Sequence, residues 1–476
     1  DATIPIMPFD GEPSQLLEGS RLELPTTSLP WKAANSVRRA GLSAFGFGGV
    51  NAHAVVEEVP CSKVLHRMNA VIAVQRVARA PYRFAARTVR ELDELLSQPA
   101  SVLESISPRD LSDEWPVRAC LSSVDSKVRE LARNALKSQS PVVQTTDMVV
   151  CRASLLEPDT GRTAIVFPGL EGRQHADIED LVSVAARDAL STVFEESCSD
   201  DVLGKARRAF CLARMLSSTY RRAGFVNLDV LGVSIGELSA AVETERLSEQ
   251  DVANALSLCD PGALGIREEM PYAAIAASRE HVERLLSDDE VWITHENSPS
   301  QTLVCGTVSD LRRFLNRLRQ HDIVGYILNI SSGFHTPILK PAADYIKALV
   351  EQHGHLGTDV PLWSATTGSR IFANDTSAHL VRLLVEEVRL RSVVEAMWAD
   401  GVRAFVQLGE GTVPSMIDET LRGRSHIAMS ALVPERSAIA QLRWVAGGMW
   451  AAGLRMASGA RDSNEMSSIV HVTSPN

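Results

Sequence analysis

Apolar residues return at three- and four-residue spacing over 88–96 and over 127–136, a rhythm that predicts two amphipathic helices. Between them the short apolar run Val117-Arg118-Ala119-Cys120-Leu121 predicts a strand of a small sheet for those helices to cover. Farther along, Thr163-Ala164-Ile165-Val166-Phe167 is closed by Pro168-Gly169, the mark of a buried strand entering a tight loop. A helix is predicted over 206–223, with Phe210, Ala213, Leu216 and Tyr220 on one stripe and Gly224 as its stop. Leu228-Asp229-Val230-Leu231 predicts another buried strand, and helical patterns resume over 237–242 and 247–259. Residues 1–34 have little periodicity and are punctuated by Pro5, Pro8, Pro13, Pro25 and Pro30, so extended surface segments are expected there.

Composition narrows the class. A chain of 476 residues suggests two to four compact units at about 150 residues each. With 45% hydrophobic and 22% charged residues it can bury a sizeable core without disorder. The 48 Lys+Arg against 59 Asp+Glu leave a net charge of -11, which argues against general nucleic-acid or anionic-membrane binding. No run of 18 apolar residues occurs, and the start Asp1-Ala2-Thr3-Ile4-Pro5 lacks the layout of a signal peptide; it reads as a chain entered in mid-fold. The 7 cysteines are scattered, without a CxxC, so neither a zinc site nor a disulfide framework is expected and a reducing cytosol fits. His353 and His355 flank Gly354 in a polar stretch without further clustered ligands, so no metal site is expected there either.

One constellation carries chemistry. Gly232-Val233-Ser234-Ile235-Gly236 stands between a predicted strand and a predicted helix, the context of a GxSxG nucleophile elbow. Small flanking residues let the chain fold sharply over itself, lifting the Ser234 hydroxyl out and leaving the Ile235 N–H at a helix start. A serine alkoxide is inaccessible near neutral pH, so a base must lie within hydrogen-bond reach. The candidate is His335, in Asn329-Ile330-Ser331-Ser332-Gly333-Phe334-His335-Thr336-Pro337, after a strand-like piece and before a proline-started helix.

The stretch Arg38-Arg39-Ala40-Gly41-Leu42-Ser43-Ala44-Phe45-Gly46-Phe47-Gly48-Gly49-Val50-Asn51-Ala52-His53-Ala54-Val55-Val56 resembles the end of ketosynthase domains in polyketide and fatty acid synthases. It is no dinucleotide loop, because Asn51 stands where the third glycine of GxGxxG belongs. The ketosynthase catalytic residues lie upstream of this segment in that family, so His53 is expected to be a hydrogen-bonded core residue over a buried strand. Phe167-Pro168-Gly169, Gly232-Val233-Ser234-Ile235-Gly236-Glu237, Gly333-Phe334-His335-Thr336-Pro337 and Val406-Gln407-Leu408-Gly409-Glu410-Gly411 resemble, in order and spacing, the acyltransferase domains of the same synthases. The resemblance implies an α/β chain. By the same resemblance residues 1–59 are expected to form a ketosynthase tail, 60–160 a small α/β linker, 161–432 the acyltransferase and 433–476 a segment packing back on the linker. The acyltransferase is expected to be an α/β-hydrolase-like large subdomain with an inserted ferredoxin-like small subdomain at about 271–332.

The implied activity is ping-pong acyl transfer. Ser234, deprotonated by His335, takes an acyl group from a coenzyme A thioester and passes it to the phosphopantetheine thiol of an acyl carrier protein. The oxyanion is expected to meet the backbone N–H of Ile235 and of Leu170. The family orients its histidine by a backbone carbonyl, here expected near Gln407. No permanently bound cofactor is expected; acyl-CoA is the donor and the partners are a carrier protein and further synthase domains.

Departures from the family shape the substrate reading. Leu170 replaces an expected glutamine and Val233 an expected histidine. Extender-unit acyltransferases carry an arginine 25 positions after the serine to clamp a substrate carboxylate; here that position is Cys259. A neutral residue cannot compensate a buried carboxylate, so an uncharged monoacyl group is expected in preference to malonyl. Ser332, Gly333 and Phe334 stand where the family reads its acyl pocket, and the small pair leaves room for a longer or branched chain. Arg312, Arg313, Arg317 and Arg319 form a basic stretch that either faces an acidic carrier or is ordinary solvated helix charge. An acyl-thioester hydrolase, or a silent interaction domain, are the competing readings.

Overall fold

The computed structural model describes residues 3–4, 29–30, 39–45, 51–57, 80–107, 111–156, 161–170, 178, 202–226, 228–258, 269–286, 291–340, 343, 360–372, 376–434 and 436–454. The chain divides into two units, 1–72 and 73–476. In the first, β1 (Thr3–Ile4) pairs antiparallel with β2 (Leu29–Pro30), and β3 (Arg39–Phe45) with β4 (Asn51–Glu57). His53 lies opposite Ser43 with its ring over Gly41. The expectation of a buried strand with a core histidine is corrected here: His53 is exposed and Val55 is 68% exposed. Among the described residues only two strands pair in this hairpin.

The second unit opens with β5 (Tyr82–Ala86), α1 (Val89–Leu96), α2 (Ala100–Glu104), β6 (Val117–Leu121), α3 (Ser126–Lys137), β7 (Val142–Gln144) and β8 (Met148–Cys151). The strands make one antiparallel sheet in the order β5-β6-β8-β7. Thr88 and Glu91 close a capping box at the start of α1, and Asp125 caps α3, so both predicted helices begin where side chains satisfy their first N–H groups. Leu92, Leu96, Val128 and Ala132 bury the apolar stripes on one face of this sheet.

A large sheet follows, in the order β16-β15-β10-β9-β18-β19. Its strands are β9 (Arg162–Phe167), β10 (Asp229–Gly232), β15 (Leu362–Ser364), β16 (Ser369–Ile371), β18 (Val402–Gln407) and β19 (Ile427–Ser430). All pair in parallel except β15 with β16. The near-continuous burial of β9 and β10 is what strands covered on both faces require. Helices α4 (Val202–Arg222), α5 (Gly236–Glu243) and α6 (Glu249–Leu258) come from the same stretch.

Between α6 and β15 the chain builds a second sheet from β11 (Pro271–Ile275), β12 (Trp292–Ser298), β13 (Gln301–Cys305) and β14 (Gly325–Ser331), with α7 (Arg279–Leu285) and α8 (Val308–Arg319). The β-α-β-β-α-β order and the spatial order β14-β11-β13-β12 are those of a ferredoxin-like fold. A later strand, β17 (Val388–Arg389), adds to its edge beside β12, His295 opposite Val388. That return strand follows α9 (Thr376–Val385) and precedes α10 (Leu390–Ala399), whose Val393, Val394 and Met397 are buried. Helix α11 (Val413–Thr420) packs near β19.

The closing helix α12 (Ala438–Ala452), capped by Ser437 and ended by left-handed Gly453, lies between the β5-β6-β8-β7 sheet and the large one. A side chain at Gly447 would stand 2.5 Å from Cys120 Sγ, and one at Gly448 would stand 2.7 Å from Met429 Sδ. Arg118 spans the same contact, its guanidinium donating to Trp450 O at 2.7 Å and lying over the Trp450 ring. Burial pushes the Cys120 and Cys151 thiols up to about 12, which makes them inert packing groups.

Candidate active site

Ser234 sits at the carboxyl end of β10, in the middle of the large sheet and at the head of α5. Its φ is +53°, in the left-handed region that a non-glycine residue occupies only under constraint. The two flanking glycines explain how the turn is tolerated. A Cβ on Gly232 would stand 2.4 Å from Glu237 Cα, and one on Gly236 would stand 2.1 Å from Phe167 O. Gly236→Ala is therefore expected to push the elbow off β9 and to cut acylation by about 10²-fold or more, because a displacement near 1 Å at the nucleophile has that cost. Acylation rates measured on protein whose melting curve still shows a folded chain check this.

His335 comes from the turn after β14 and also has a left-handed backbone, φ +64°. Its Nε2 lies 2.7 Å from Ser234 Oγ, across 101 residues of sequence. Its Nδ1 lies 3.1 Å from Glu386 O. A carbonyl can only accept, so Nδ1 carries the proton and Nε2 presents its lone pair to the serine hydroxyl. The expectation that this carbonyl comes from the Gln407 region is corrected: Glu386, between α9 and β17, supplies it. Gln407 instead braces the loop after β18, donating to Gly409 O at 3.1 Å and accepting from Val413 N–H at 3.1 Å.

The segment holding Glu386 O is itself fixed. His335 N–H donates to Leu384 O at 2.7 Å. The Glu386 carboxylate takes two bonds of 2.8 Å from Arg382, and Glu387 takes one of 2.8 Å from Arg279 on α7. Burial holds His335 at about 4, against smaller upward pushes from Glu386 O and the Glu237 charge, so the imidazole is neutral near neutral pH.

The other candidate residues divide. Gly169 closes on the nucleophile, a Cβ there standing 3.2 Å from Ser234 Cβ, which brings the loop after β9 to the site. Leu170 and Ile235 pack on one apolar cluster, and among the described residues neither N–H meets an acceptor. Val233, expected at the substrate, is only 5% exposed and packs with Leu231, Ala365 and Val388; one residue before the elbow, its side chain continues the strand's core face. Ser332, expected to leave pocket space, is buried, and its hydroxyl meets Tyr272 Oη at 2.7 Å. Gly333 has φ +68°, so the turn itself calls for glycine, and Phe334 packs with Leu339 and Leu384. Cys259, His353 and His355 lie outside the described residues. On α8, Arg317 donates to Leu285 O at 3.0 Å, Arg319 to Asn316 Oδ1 at 2.8 Å, and Arg313 pairs with Asp310, so these three are engaged locally.

Sequence reasoning missed two residues of the small sheet. Tyr272 on β11 donates to Phe334 O at 3.0 Å, pinning the peptide that leads into His335. His295 on β12 stands edge-on to the His335 ring, centroids 4.9 Å apart, with Tyr272 behind it at 6.0 Å. Burial, with the His335 ring beside it, pushes His295 well below the usual imidazole value. Nothing in the local sequence signals them, because the contact arises only when the inserted sheet closes beside the elbow. Among the described residues no group of three or more His, Cys, Asp or Glu side chains could hold a metal ion, and no helix is long and apolar enough to cross a membrane.

Residues 213–440 match the acyl transferase domain family. Over most of its length the chain is similar to erythronolide synthase EryA3 of Saccharopolyspora erythraea (26% identical, covering 85% of this chain and 14% of that protein). It is similar as well to pikromycin polyketide synthase component PikAIII of Streptomyces venezuelae (25%, 87% and 28%) and to mycoketide-CoA synthase of Mycobacterium tuberculosis (27%, 87% and 10%). The chain thus spans a minor part of these much longer relatives. In fold it is similar to the acyltransferase domain from module 8 of the salinomycin polyketide synthase, with TM-score 0.62, 19% identity, and 79% of this chain and 96% of that one covered. The domain from the second module of the same synthase gives TM-score 0.59, 22%, 82% and 97%. These likenesses agree with a large α/β-hydrolase-like sheet carrying an inserted ferredoxin-like one, and residues 213–440 are similar to the acyl transferase domains found in polyketide synthases.

Proposed function

We propose that this chain moves an uncharged acyl group from a coenzyme A or carrier thioester, through an ester on Ser234, to the phosphopantetheine thiol of an acyl carrier protein. The contact of Ser234 Oγ with His335 Nε2 at 2.7 Å is the observation that supports this reading most. His335 takes the serine proton as Oγ attacks the thioester carbonyl. The tetrahedral oxyanion is held by the N–H groups of Ile235 and Leu170, and collapse expels the donor thiolate, which takes the proton back from His335. The second half repeats the sequence with the carrier thiol as nucleophile. In the same reading residues 1–59 are a ketosynthase tail, 60–160 a linker, 161–432 the acyltransferase and 433–476 the segment that follows it.

The preference for an uncharged group rests on Cys259, the neutral residue 25 positions beyond Ser234. Incubation with acetyl-, longer acyl- and malonyl-CoA, followed by intact mass and by transfer to a carrier thiol, tests it. Malonyl is expected to load slower than the best monoacyl donor by about 10²-fold, the cost of a poorly compensated carboxylate, and Cys259→Arg is expected to narrow that gap. Equal malonyl loading would end the argument from Cys259. Prompt release of free acid would favour a hydrolase, and no adduct with any donor a silent domain.

A further inference from the structure

Glu237, three residues beyond Ser234, is a buried carboxylate with no part in the scheme above. Four donors hold it. His379 Nε2–H at 2.6 Å and the Ser364 hydroxyl at 2.9 Å reach Oε2; the Thr366 N–H and hydroxyl, each at 2.8 Å, reach Oε1. Burial alone would push this carboxyl up, but His379 and Thr366 outweigh it and keep it below the usual carboxylate range. His379 on α9 is 3% exposed, and its other ring nitrogen, Nδ1, meets no partner among the described residues. An imidazole buried with half its polar capacity unmet is a costly choice for a position that only fills space.

The pair joins the two elements that carry the reacting groups. Helix α5 starts at the elbow, and Glu237 N–H donates to Ser234 O at 2.9 Å. Helix α9 leads straight into Leu384 O and Glu386 O, the acceptors for His335 N–H and Nδ1–H. The loop bearing Ser364 and Thr366 is tied to both sides, Ala365 N–H donating to Gly232 O at 3.1 Å and Arg389 N–H to Ala365 O at 2.6 Å. The Glu237 carboxylate is the point where these three pieces of chain meet.

We propose that Glu237 and His379 are positioning residues for acyl transfer, their contact setting the reach of His335 to Ser234 and the fixed anion favouring the imidazolium that forms there. The proposal rests on the reading of Ser234 and His335 given above. The charged and titratable groups around the pair are Arg382 on α9, which is bidentate with Glu386, His335 itself, and His295 of β12 on the far side of the His335 ring.

Glu237→Gln keeps the side chain's shape and removes its charge. In the full chain, the His335 imidazole is followed by NMR titration and acylation is measured alongside. His335 is expected to titrate lower in Glu237→Gln than in the unaltered chain, because loss of a nearby anion disfavours the charged ring. The kcat for acylation is expected to fall about 10-fold with KM for acyl-CoA unchanged. His379→Gln retains a donor to the carboxylate and should hold kcat within about 3-fold, whereas His379→Leu should lose as much as Glu237→Gln. Where Glu237→Gln does not fold, the comparison of the two His379 variants carries the test. An unmoved His335 titration with unmoved kcat, or His379→Leu equal to His379→Gln, would overturn the proposal. The titration reads His335 without turnover, so a wild-type chain that never acylates would count against the reading of Ser234 and leave this test standing.

Discussion

Ser234→Ala is expected to abolish the acyl adduct and to reduce transfer to a carrier thiol on the order of 10⁵-fold, the scale of losing a covalent nucleophile. The fold should survive the change. Ser234 Oγ has one described side-chain partner, His335 Nε2, and the elbow is shaped by backbone contacts at Gly232 and Gly236. A left-handed residue is strained whether it is serine or alanine, so the melting temperature should move little. Intact mass after incubation with acyl-CoA checks the adduct, and a carrier-loading assay checks the rate.

Replacing His335 by alanine is expected to slow acylation by about 10³-fold, within the range that a positioned base contributes. The pH dependence is the sharper reading. His335 is held at about 4 by burial, so the base form is already present well below neutrality. In the unaltered chain the rate should stay level as pH falls from 7, then drop as pH approaches about 4. The sign for stability follows from the same shift. The unfolded imidazole takes its proton near 6.5 and the folded one only near 4, so the unfolded state binds more protons between them and stability declines as pH falls through that window. His335→Ala should lose the acid limb of the rate and flatten this part of the stability curve. Rates and melting curves between pH 7 and 4 measure both.

Much of the site was readable because its demands are local. Gly232 and Gly236 flank Ser234 for a steric reason that a linear motif records, since each would drive a Cβ into backbone. The strand before the elbow and the helix after it are visible in the spacing of apolar residues alone, as are the amphipathic α1, α3 and α4. What escaped was everything that depends on backbone groups or on a distant sheet. Glu386 acts through its carbonyl, which any residue type would provide, so no side-chain signature points to it. Tyr272 and His295 matter through the closing of the inserted sheet beside the elbow, and β17 joins that sheet from 93 residues farther along the chain, Val388 standing opposite His295. Proximity in sequence to a reacting group does not by itself say which way a side chain points, and Val233 and Ser332 show this. Val233 follows the core face of β10 and Ser332 bonds to Tyr272, whereas Ser234 and His335 turn toward each other.

The account depends on an ester forming at one particular hydroxyl and then leaving for a thiol. Peptide mapping of the acylated chain by mass spectrometry, before and after addition of a phosphopantetheine thiol, tests that most directly. The expected result is acyl mass on the peptide containing Ser234, lost on addition of thiol with matching gain on the thiol. Acyl mass on another residue, or an adduct on Ser234 that no thiol can remove, would contradict it.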